Sequence, residues 1–193
     1  MNKNRISDIT GVILAGGQSR RFGSNKALAL LDGKPLIKHV AEILSAIFTD
    51  SLLVTNTPEQ YDFLNIPMIE DQFNDMGPLA GIHAALLQII TPHAFVVACD
   101  MPYLSAELIR YLCASYDQEY DVIIPWTQKG QEPLCGLYHK KSLPIIESCL
   151  KRKDCQIIRA LAELRVRRVE EEEILSITGD FACFKNINWP IDL

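Results

Sequence analysis

The sequence lacks any apolar run long enough to span a bilayer. Its longest apolar stretches, such as AALLQII, are far shorter than the roughly 20 residues that a membrane-spanning helix needs. The opening MNKNRISDIT is polar and has no apolar core of the kind found in secretion signals. We therefore expect a soluble, cytoplasmic protein.

An excess of positive charge is also missing. The formal net charge of the 193 residues is −5, which argues against a protein that wraps nucleic acid. A local cluster of basic residues can still hold a phosphorylated small molecule. The net charge therefore excludes a nucleic-acid partner, but it does not exclude a nucleotide.

Cysteine and histidine motifs are absent as well. Six cysteines occur, but none forms a CxxC pair and none is spaced with histidine as in a metal site. We expect reduced thiols, most of them buried. The four histidines offer no obvious catalytic triad or general base.

The chain has the length and the alternating pattern of one α/β domain spanning residues 1–193. With 48% apolar residues it can bury a substantial core. Short β-rich runs alternate with segments of helical period, which predicts a mostly parallel twisted sheet with helices on both faces, in three layers. Predicted strands cover 9–15, 52–55, 67–69, 94–100, 121–125, 134–138 and 166–169, and predicted helices cover 35–48, 81–90 and 104–113, with two further short helices after 138.

The first predicted strand ends in a glycine-rich and basic loop, GVILAGGQSRRFGSNK. Ligands of such sheets bind beyond the carboxyl ends of the strands. Gly16 and Gly17 allow backbone N–H groups to approach a ligand, and Arg20, Arg21 and Lys26 add positive charge, a combination that suits phosphate. The glycine spacing matches neither G-x-G-x-x-G nor a Walker A loop. This argues against binding of a redox dinucleotide and against a P-loop nucleotide site.

The segment LAGGQSRRFGSNKALALLDGKPL resembles the nucleotidyltransferase signature L-A-G-G-x-S-x-R-M-G-x-x-K, with Phe22 in place of methionine. Within that group it is most similar to the molybdenum cofactor guanylyltransferases, and the similarity continues through EDQFNDMGPLAGI, VVACDMPYL and FKNINWPIDL. The resemblance implies a Rossmann-like fold of the nucleotide-diphospho-sugar transferase (GT-A-like) type. It also implies transfer of GMP from GTP to molybdenum-molybdopterin, with pyrophosphate as the second product.

For the nucleotide, we expect the amides of Leu14 to Gly17 to cradle the triphosphate. Arg21 and Lys26 would stabilise the departing pyrophosphate, and Asp100 at a strand end would hold Mg²⁺, as the resemblance also implies. The alternative for Asp100 is a residue that caps the following turn. The expected GTP contacts are Leu14, Ala15, Gly16, Gly17, Lys26, Asn56, Asp71 and Asp100, and the expected catalytic residues are Arg21, Lys26 and Asp100.

Two residues are candidates for recognising the base. Asp71, after a predicted strand, can accept hydrogen bonds from the adjacent N–H donors of guanine, as the family comparison implies. Asn56 is the second candidate, with an ordinary turn asparagine as the alternative. Gly77, Pro78 and Gly81 fit a close transition from loop to helix beside the nucleotide, or a purely structural turn.

The C-terminal half is expected to bind the acceptor pterin, whereas the N-terminal half binds GTP. Asn186 and Asn188 alternate on a predicted strand and would face the pterin on one side of it. The basic residues between 151 and 168 could receive the pterin phosphate, but a solvated surface is the favoured interpretation. They are Lys151, Arg152, Lys153, Arg159, Arg165, Arg167 and Arg168.

Other functions remain open on the sequence alone. A related enzyme could use CTP or a sugar-phosphate acceptor, and a nucleotide-binding relative could have lost turnover. The expected partners are GTP and molybdopterin as substrates, with transient contacts to cofactor-biosynthesis proteins or apo-molybdoenzymes, and we expect a monomer.

Overall fold

The computed structural model describes residues 5–16, 25–73 and 75–187, which form a central sheet covered by helices. The strands are β1 (Ile6–Leu14), β2 (Leu30–Leu31), β3 (Lys34–Pro35), β4 (Phe48–Val54), β5 (Met68–Ile69), β6 (His93–Ala98), β7 (Val122–Thr127), β8 (Gly130–Gln131), β9 (Cys135–His139) and β10 (Val166–Val169). The α-helices are α1 (Leu36–Ile47), α2 (Pro78–Gln88), α3 (Ala106–Ala114), α4 (Leu143–Lys151), α5 (Ile157–Ala162) and α6 (Glu171–Thr178).

The strand order of the sheet is β10-β7-β9-β6-β1-β4-β5, with β8 paired to β7 and with β2 and β3 in a separate hairpin. β1 is parallel to β4 and β6, β4 is parallel to β5, and β10 is parallel to β7. β9 runs antiparallel to its neighbours β6 and β7. The parallel strands β5, β4, β1, β6, β7 and β10 therefore all end on one side, which we call the carboxyl edge. The predicted mostly parallel sheet is confirmed.

Helices cover both faces of the sheet, as predicted. Along β1 the side chains alternate, because successive residues of a strand point to opposite faces. Ile9 and Ile13 belong to the core cluster formed with α1, α3 and α6. Val12 and Leu14 belong to the cluster formed with α2, α4 and α5. The part of β1 from Ile9 to Leu14 is buried on both faces and is mostly apolar, which is why it stands out in the sequence.

Several helices and strands begin or end at residues other than those predicted. Helix α2 begins at Pro78, three residues earlier than predicted, because proline is favoured in the first helical turn and Gly77 before it takes a positive φ of 68°. Strand β6 ends at Ala98, so Asp100 lies just beyond it. Helix α3 begins at Ala106, two residues later than predicted, because Ser105 caps it: the Ser105 hydroxyl accepts a hydrogen bond of 3.1 Å from the N–H of Leu108.

Two features of the C-terminal third differ from the prediction. Helix α6 was missed, although Glu170 and Glu173 form a capping box at its start and Gly179 ends it. The predicted strand through Asn186 is wrong: a 3-10 turn occupies Ala182–Phe184, and residues 185–187 are irregular. Asn188 lies outside the described residues.

All six cysteines are free, and four of them are buried, which agrees with the expectation of mostly buried thiols. Within the described parts of the chain, no helix is long and apolar enough to cross a membrane.

Candidate active site at the carboxyl edge

The ends of four neighbouring strands meet at the carboxyl edge. Leu14, the last residue of β1, pairs with Val54 of β4 and with Ala98 of β6, so these three strands end at the same level. Beyond them, the N–H of Cys99 donates to the carbonyl of Leu14 at 3.2 Å, which ties the β6 loop to the β1 loop. The segments that carry the predicted nucleotide residues are therefore adjacent.

An ion pair joins two of the predicted catalytic residues. Lys26 Nζ contacts Asp100 Oδ2, and the two side chains are only 17% and 16% exposed. Partial burial strengthens such a pair relative to one in bulk water. The other carboxylate oxygen, Asp100 Oδ1, is buried and has no hydrogen-bond partner among the described residues. One oxygen of Asp100 is thus held by the lysine, and the second remains unmatched.

The unmatched oxygen of Asp100 is the feature that fits a magnesium ion. No cluster of three or more histidine, cysteine or acidic side chains that could hold a metal occurs in the described ranges. A cage made only of protein ligands is therefore not formed by these residues. Mg²⁺ usually binds one or two carboxylates, several waters and the phosphates of its substrate, and a single carboxylate oxygen meets that requirement.

The segment that carries Lys26 is held in place by Asn25, a residue that the sequence analysis missed. Asn25 caps the 3-10 turn Lys26–Leu28, because its Oδ1 accepts from the N–H of Ala27 at 3.1 Å. Its Nδ2 donates to Gln60 Oε1 at 2.6 Å and to the hydroxyl of Tyr61 at 2.8 Å. An asparagine before a short helix is a recognisable N-cap signal, but the sequence gives no sign of its distant partners.

The two candidates for base recognition lie together. Asn56 follows β4 and Asp71 follows β5, and their hydrogen bonds are reciprocal. Asn56 Nδ2 donates to Asp71 Oδ2 at 3.0 Å, while the N–H of Asp71 donates to Asn56 Oδ1 at 3.1 Å. Asp71 Oδ1 is buried without a partner among the described residues. The pair therefore presents a fixed carboxylate with unused acceptor capacity.

The remaining residues of the predicted nucleotide loop are only partly described. Leu14 and Ala15 are buried, and Gly16 is exposed. Gly17 and Arg21 lie outside the described residues. The start of α2 packs against this loop, since a Cβ on Gly81 would lie 3.1 Å from Leu14 Cδ2. The backbone of α2 therefore approaches the end of β1 closely at Gly81, and a side chain at that position would require Leu14 to shift slightly.

The C-terminal segment reaches the same edge. The N–H of Ile187 donates to the carbonyl of Asp100 at 3.1 Å, and the side chain of Ile187 is buried against Leu31 and Leu36. Asn186 Oδ1 is buried without a partner among the described residues. The structure thus places Asn186 beside the Asp100 segment, although on irregular chain and not on the predicted strand.

Glu132, a second carboxylate that the sequence analysis missed, lies just outside the sheet at this edge. The N–H of Ala98 donates to the carbonyl of Leu134 at 3.1 Å. Glu132 is two residues before Leu134, and Asp100 is two residues after Ala98, so both emerge on the same side. Burial raises the pKa of Glu132 above its ordinary value, with Lys129 opposing the shift. Its position in QEPLCG, between predicted strands, gave no distinguishing signal.

The basic residues of the C-terminal half do not converge on a pocket in the described structure. Most of them pair with acidic side chains of their own surroundings, and Arg168 lies over the ring of Trp126 at 3.9 Å. This agrees with the solvated surface favoured above. The ion pairs are Lys151–Glu147, Arg152–Glu163, Arg159–Asp154, Arg165–Asp121 and Arg167–Glu173.

Cys99, which directly precedes Asp100, is not a candidate thiolate. Burial, together with the neighbouring charge of Asp100, raises the pKa of Cys99 to about 12. The thiol is therefore protonated at neutral pH and behaves as a small apolar side chain.

Comparisons with known proteins agree with this arrangement. Residues 11–169 match the family described as MobA-like NTP transferase domain. The chain is 38% identical, over 186 residues, to the molybdenum cofactor guanylyltransferase of Desulfosudis oleivorans, covering 96% of this chain and 92% of that protein. It is 36% identical to the protein of the same name from Vibrio cholerae, covering 97% of this chain and 90% of that protein.

Among solved structures, the chain is similar to the molybdopterin-guanine dinucleotide biosynthesis protein A of Archaeoglobus fulgidus. The TM-score is 0.81 at 29% sequence identity, with 95% of this chain and 94% of that chain covered.

Proposed function

Because this chain belongs to the MobA-like NTP transferase family, we propose that it transfers GMP from GTP to the phosphate of molybdenum-molybdopterin and releases pyrophosphate. The observation that carries the proposal is the ion pair between Lys26 and Asp100, at the edge that also carries the Asn56–Asp71 pair. The names of the relatives support the choice of acceptor.

The reaction brings two anions together. An oxygen of the acceptor phosphate attacks the α-phosphorus of GTP, a new P–O bond forms, and the bond between the α-phosphorus and the bridging oxygen breaks as pyrophosphate leaves. The second pKa of a phosphate monoester is near 6, so the attacking oxygen is already largely deprotonated at neutral pH. A general base is therefore not required, and the protein contributes positioning and positive charge.

Lys26 and Asp100 are proposed to supply this positioning and positive charge in different ways. The ammonium group of Lys26 is proposed to contact the phosphates of the triphosphate, and its contact with Asp100 Oδ2 fixes the carboxylate. Asp100 Oδ1 is then the oxygen that would hold Mg²⁺. When bound, magnesium would neutralise phosphate charge and help to orient the triphosphate. Arg21, which precedes Lys26 in the glycine-rich and basic segment of the sequence, is proposed to share the charge of the departing pyrophosphate.

Asp71 is proposed to recognise guanine. The Watson–Crick edge of guanine presents neighbouring N–H donors, and the unused acceptor capacity of Asp71 suits them. Asn56 holds the other oxygen, which limits rotation of the carboxylate. Cytosine presents a donor beside an acceptor, and the acceptor would face a carboxylate oxygen unfavourably.

The acceptor is proposed to bind along the C-terminal segment. Asn186 has a buried and unmatched amide oxygen next to the segment of Asp100, so a polar edge of the pterin could bind there while its phosphate faces the nucleotide. Asn188 would contribute a second amide.

A turnover assay tests the proposal. Purified protein is mixed with molybdenum cofactor and either Mg-GTP or Mg-CTP, and pyrophosphate release is followed while the dinucleotide product is identified by mass spectrometry. We expect GTP to be preferred and Asp71→Asn to reduce that preference by about 10- to 100-fold, as expected for loss of hydrogen bonds to a charged group. Asp62→Asn is the matched control, because Asp62 is exposed and also lies between β4 and β5. Equal use of both nucleotides by the unmodified protein would refute the guanine assignment.

A further inference from the structure

A buried tyrosine connects the Lys26 segment to the loop that follows β4. Tyr61 is 2% exposed, and its hydroxyl accepts a hydrogen bond of 2.8 Å from Asn25 Nδ2. The same asparagine caps the turn that begins at Lys26, through its Oδ1 and the N–H of Ala27. The Tyr61 hydroxyl is therefore separated from the Lys26 turn by one side chain.

Tyr61 also forms a side-chain hydrogen bond with Thr57, the residue after Asn56. Thr55 and Thr57 flank Asn56, and the N–H of Thr57 donates to Thr55 Oγ1 at 3.2 Å. The two threonine hydroxyl oxygens are 3.5 Å apart. Burial raises the pKa of Tyr61, while hydrogen bonds from Asn25 and Thr57 act in the opposite direction. Side chains from both segments thus meet at one neutral hydroxyl.

This arrangement has no role in the chemistry described above, because Tyr61 is buried and the reaction needs no further proton donor. Its effect is on geometry. A triphosphate bound to Lys26 and a base bound to Asn56 and Asp71 belong to one molecule, so the distance between the two segments must match the nucleotide. A hydrogen bond that fixes this distance in the free protein orders the two segments before the nucleotide arrives. The free energy of nucleotide binding is then not reduced by the entropy lost in ordering them.

We propose that Tyr61 is a positioning residue whose hydroxyl, through Asn25, holds the Lys26 turn at the distance from the Asn56 loop that a guanine nucleotide requires. The inference rests on the proposed function, because it assumes that Lys26 contacts the phosphates and that the Asn56 loop contacts the base.

The test is a double-mutant cycle on equilibrium binding of Mg-GTP, measured by calorimetry without acceptor. Tyr61→Phe removes the hydroxyl and keeps the ring. In the otherwise unmodified protein we expect it to weaken Mg-GTP binding by about threefold to tenfold, the range expected for loss of one hydrogen bond. In a Lys26→Met background the same change should alter the affinity for Mg-GTP by less than about twofold. The reason is that Tyr61 is proposed to affect binding only by positioning the ammonium group of Lys26.

Tyr111→Phe is the matched control. Its hydroxyl donates to Glu173 Oε1 at 2.5 Å, away from the nucleotide residues, so this variant should bind Mg-GTP like the unmodified protein. If Tyr61→Phe does not fold, Asn25→Ser serves instead, since serine keeps an N-cap oxygen but does not reach Tyr61.

The outcomes are distinct. A loss of affinity that is confined to the background containing Lys26 supports the inference. An equal loss in both backgrounds, or no loss in either, overturns it. Failure of the unmodified protein to bind Mg-GTP would instead contradict the proposed function.

Discussion

Asp100 and Asp121 lie at opposite edges of the same sheet, and both pair with basic side chains. Asp121, just before β7, accepts hydrogen bonds from the backbone N–H of Arg165 at 2.9 Å and from its Nη2 at 3.2 Å, and Lys141 Nζ lies 3.6 Å away. Both oxygens of Asp121 are therefore matched. Asp100 has one oxygen paired with Lys26 and one buried oxygen without a partner among the described residues.

The difference distinguishes a structural carboxylate, Asp121, from the carboxylate that we propose to bind a ligand, Asp100. Burial alone would raise the pKa of Asp121, but hydrogen bonds from Arg165 outweigh it, and the pKa is lowered. Asp121 is thus stably ionised and joins the start of β7 to the start of β10. Asp100 has a buried oxygen without a partner among the described residues, which costs stability unless a bound group supplies that partner.

The first way to test this comparison is Asp100→Asn, which should have the largest effect. The amide keeps the shape of the side chain but removes its charge, so we expect turnover to fall by at least about 100-fold. Stability should change much less than turnover, because the amide oxygen can still accept a hydrogen bond from the ammonium group of Lys26. Pyrophosphate release and thermal unfolding measure the two effects.

Asp121→Asn is the counterpart and should behave in the opposite way. Turnover should stay within about twofold of the unmodified protein, while the free energy of unfolding falls by about 1–2 kcal/mol, a value reduced by the solvent exposure of Arg165. Because the folded-state pKa of Asp121 is lowered, this stabilisation is present above the ordinary pKa near 3.9 and is lost as the pH falls through the folded value. Loss of turnover without loss of stability in this variant would remove the distinction between the two edges.

A smaller effect is expected from His93, at the same edge as Asp121. Its ring lies 4.1 Å from that of Tyr116 and 4.7 Å from that of His139, measured between centroids. Burial, together with the neighbouring His139 and Lys141, lowers the pKa of His93 to about 4, while Asp8 acts in the opposite direction. The folded protein therefore keeps His93 neutral, whereas the unfolded chain binds a proton below about 6.5.

Stability should consequently fall as the pH decreases from about 6.5 to 4, since the unfolded state binds more protons in that interval. His93→Phe keeps an aromatic ring without a titrating group, so its unfolding midpoint should depend less on pH over this range. Denaturant unfolding at several pH values provides the measurement. An identical pH dependence in both proteins would show that His93 does not titrate as proposed.

Much of the nucleotide side of the site follows from sequence. A strand buried on both faces, followed by glycines and basic residues, locates the end of β1, and the parallel order then brings the ends of β4, β5 and β6 beside it. For this reason the Lys26–Asp100 and Asn56–Asp71 contacts join residues that the sequence had already singled out.

The parts that could not be predicted depend on contacts between distant segments. Nothing local to Asn25 indicates Tyr61 as its partner, and nothing local to Glu132 indicates that it is partly buried at the carboxyl edge. The error at Asn186 has a similar cause. Alternating polar residues suggested a strand, but Ile187 is held by a backbone hydrogen bond to Asp100 and by packing on Leu31 and Leu36.

Equilibrium binding of Mg-GTP to Lys26→Met tests most directly whether the carboxyl edge is the nucleotide site. The unmodified protein and Asp121→Asn should bind with equal affinity, whereas Lys26→Met, which removes the ammonium group but keeps an unbranched side chain, should bind at least about tenfold more weakly, as expected when a charged contact to phosphate is lost. Equal affinity in all three proteins would contradict the placement of the triphosphate at this edge.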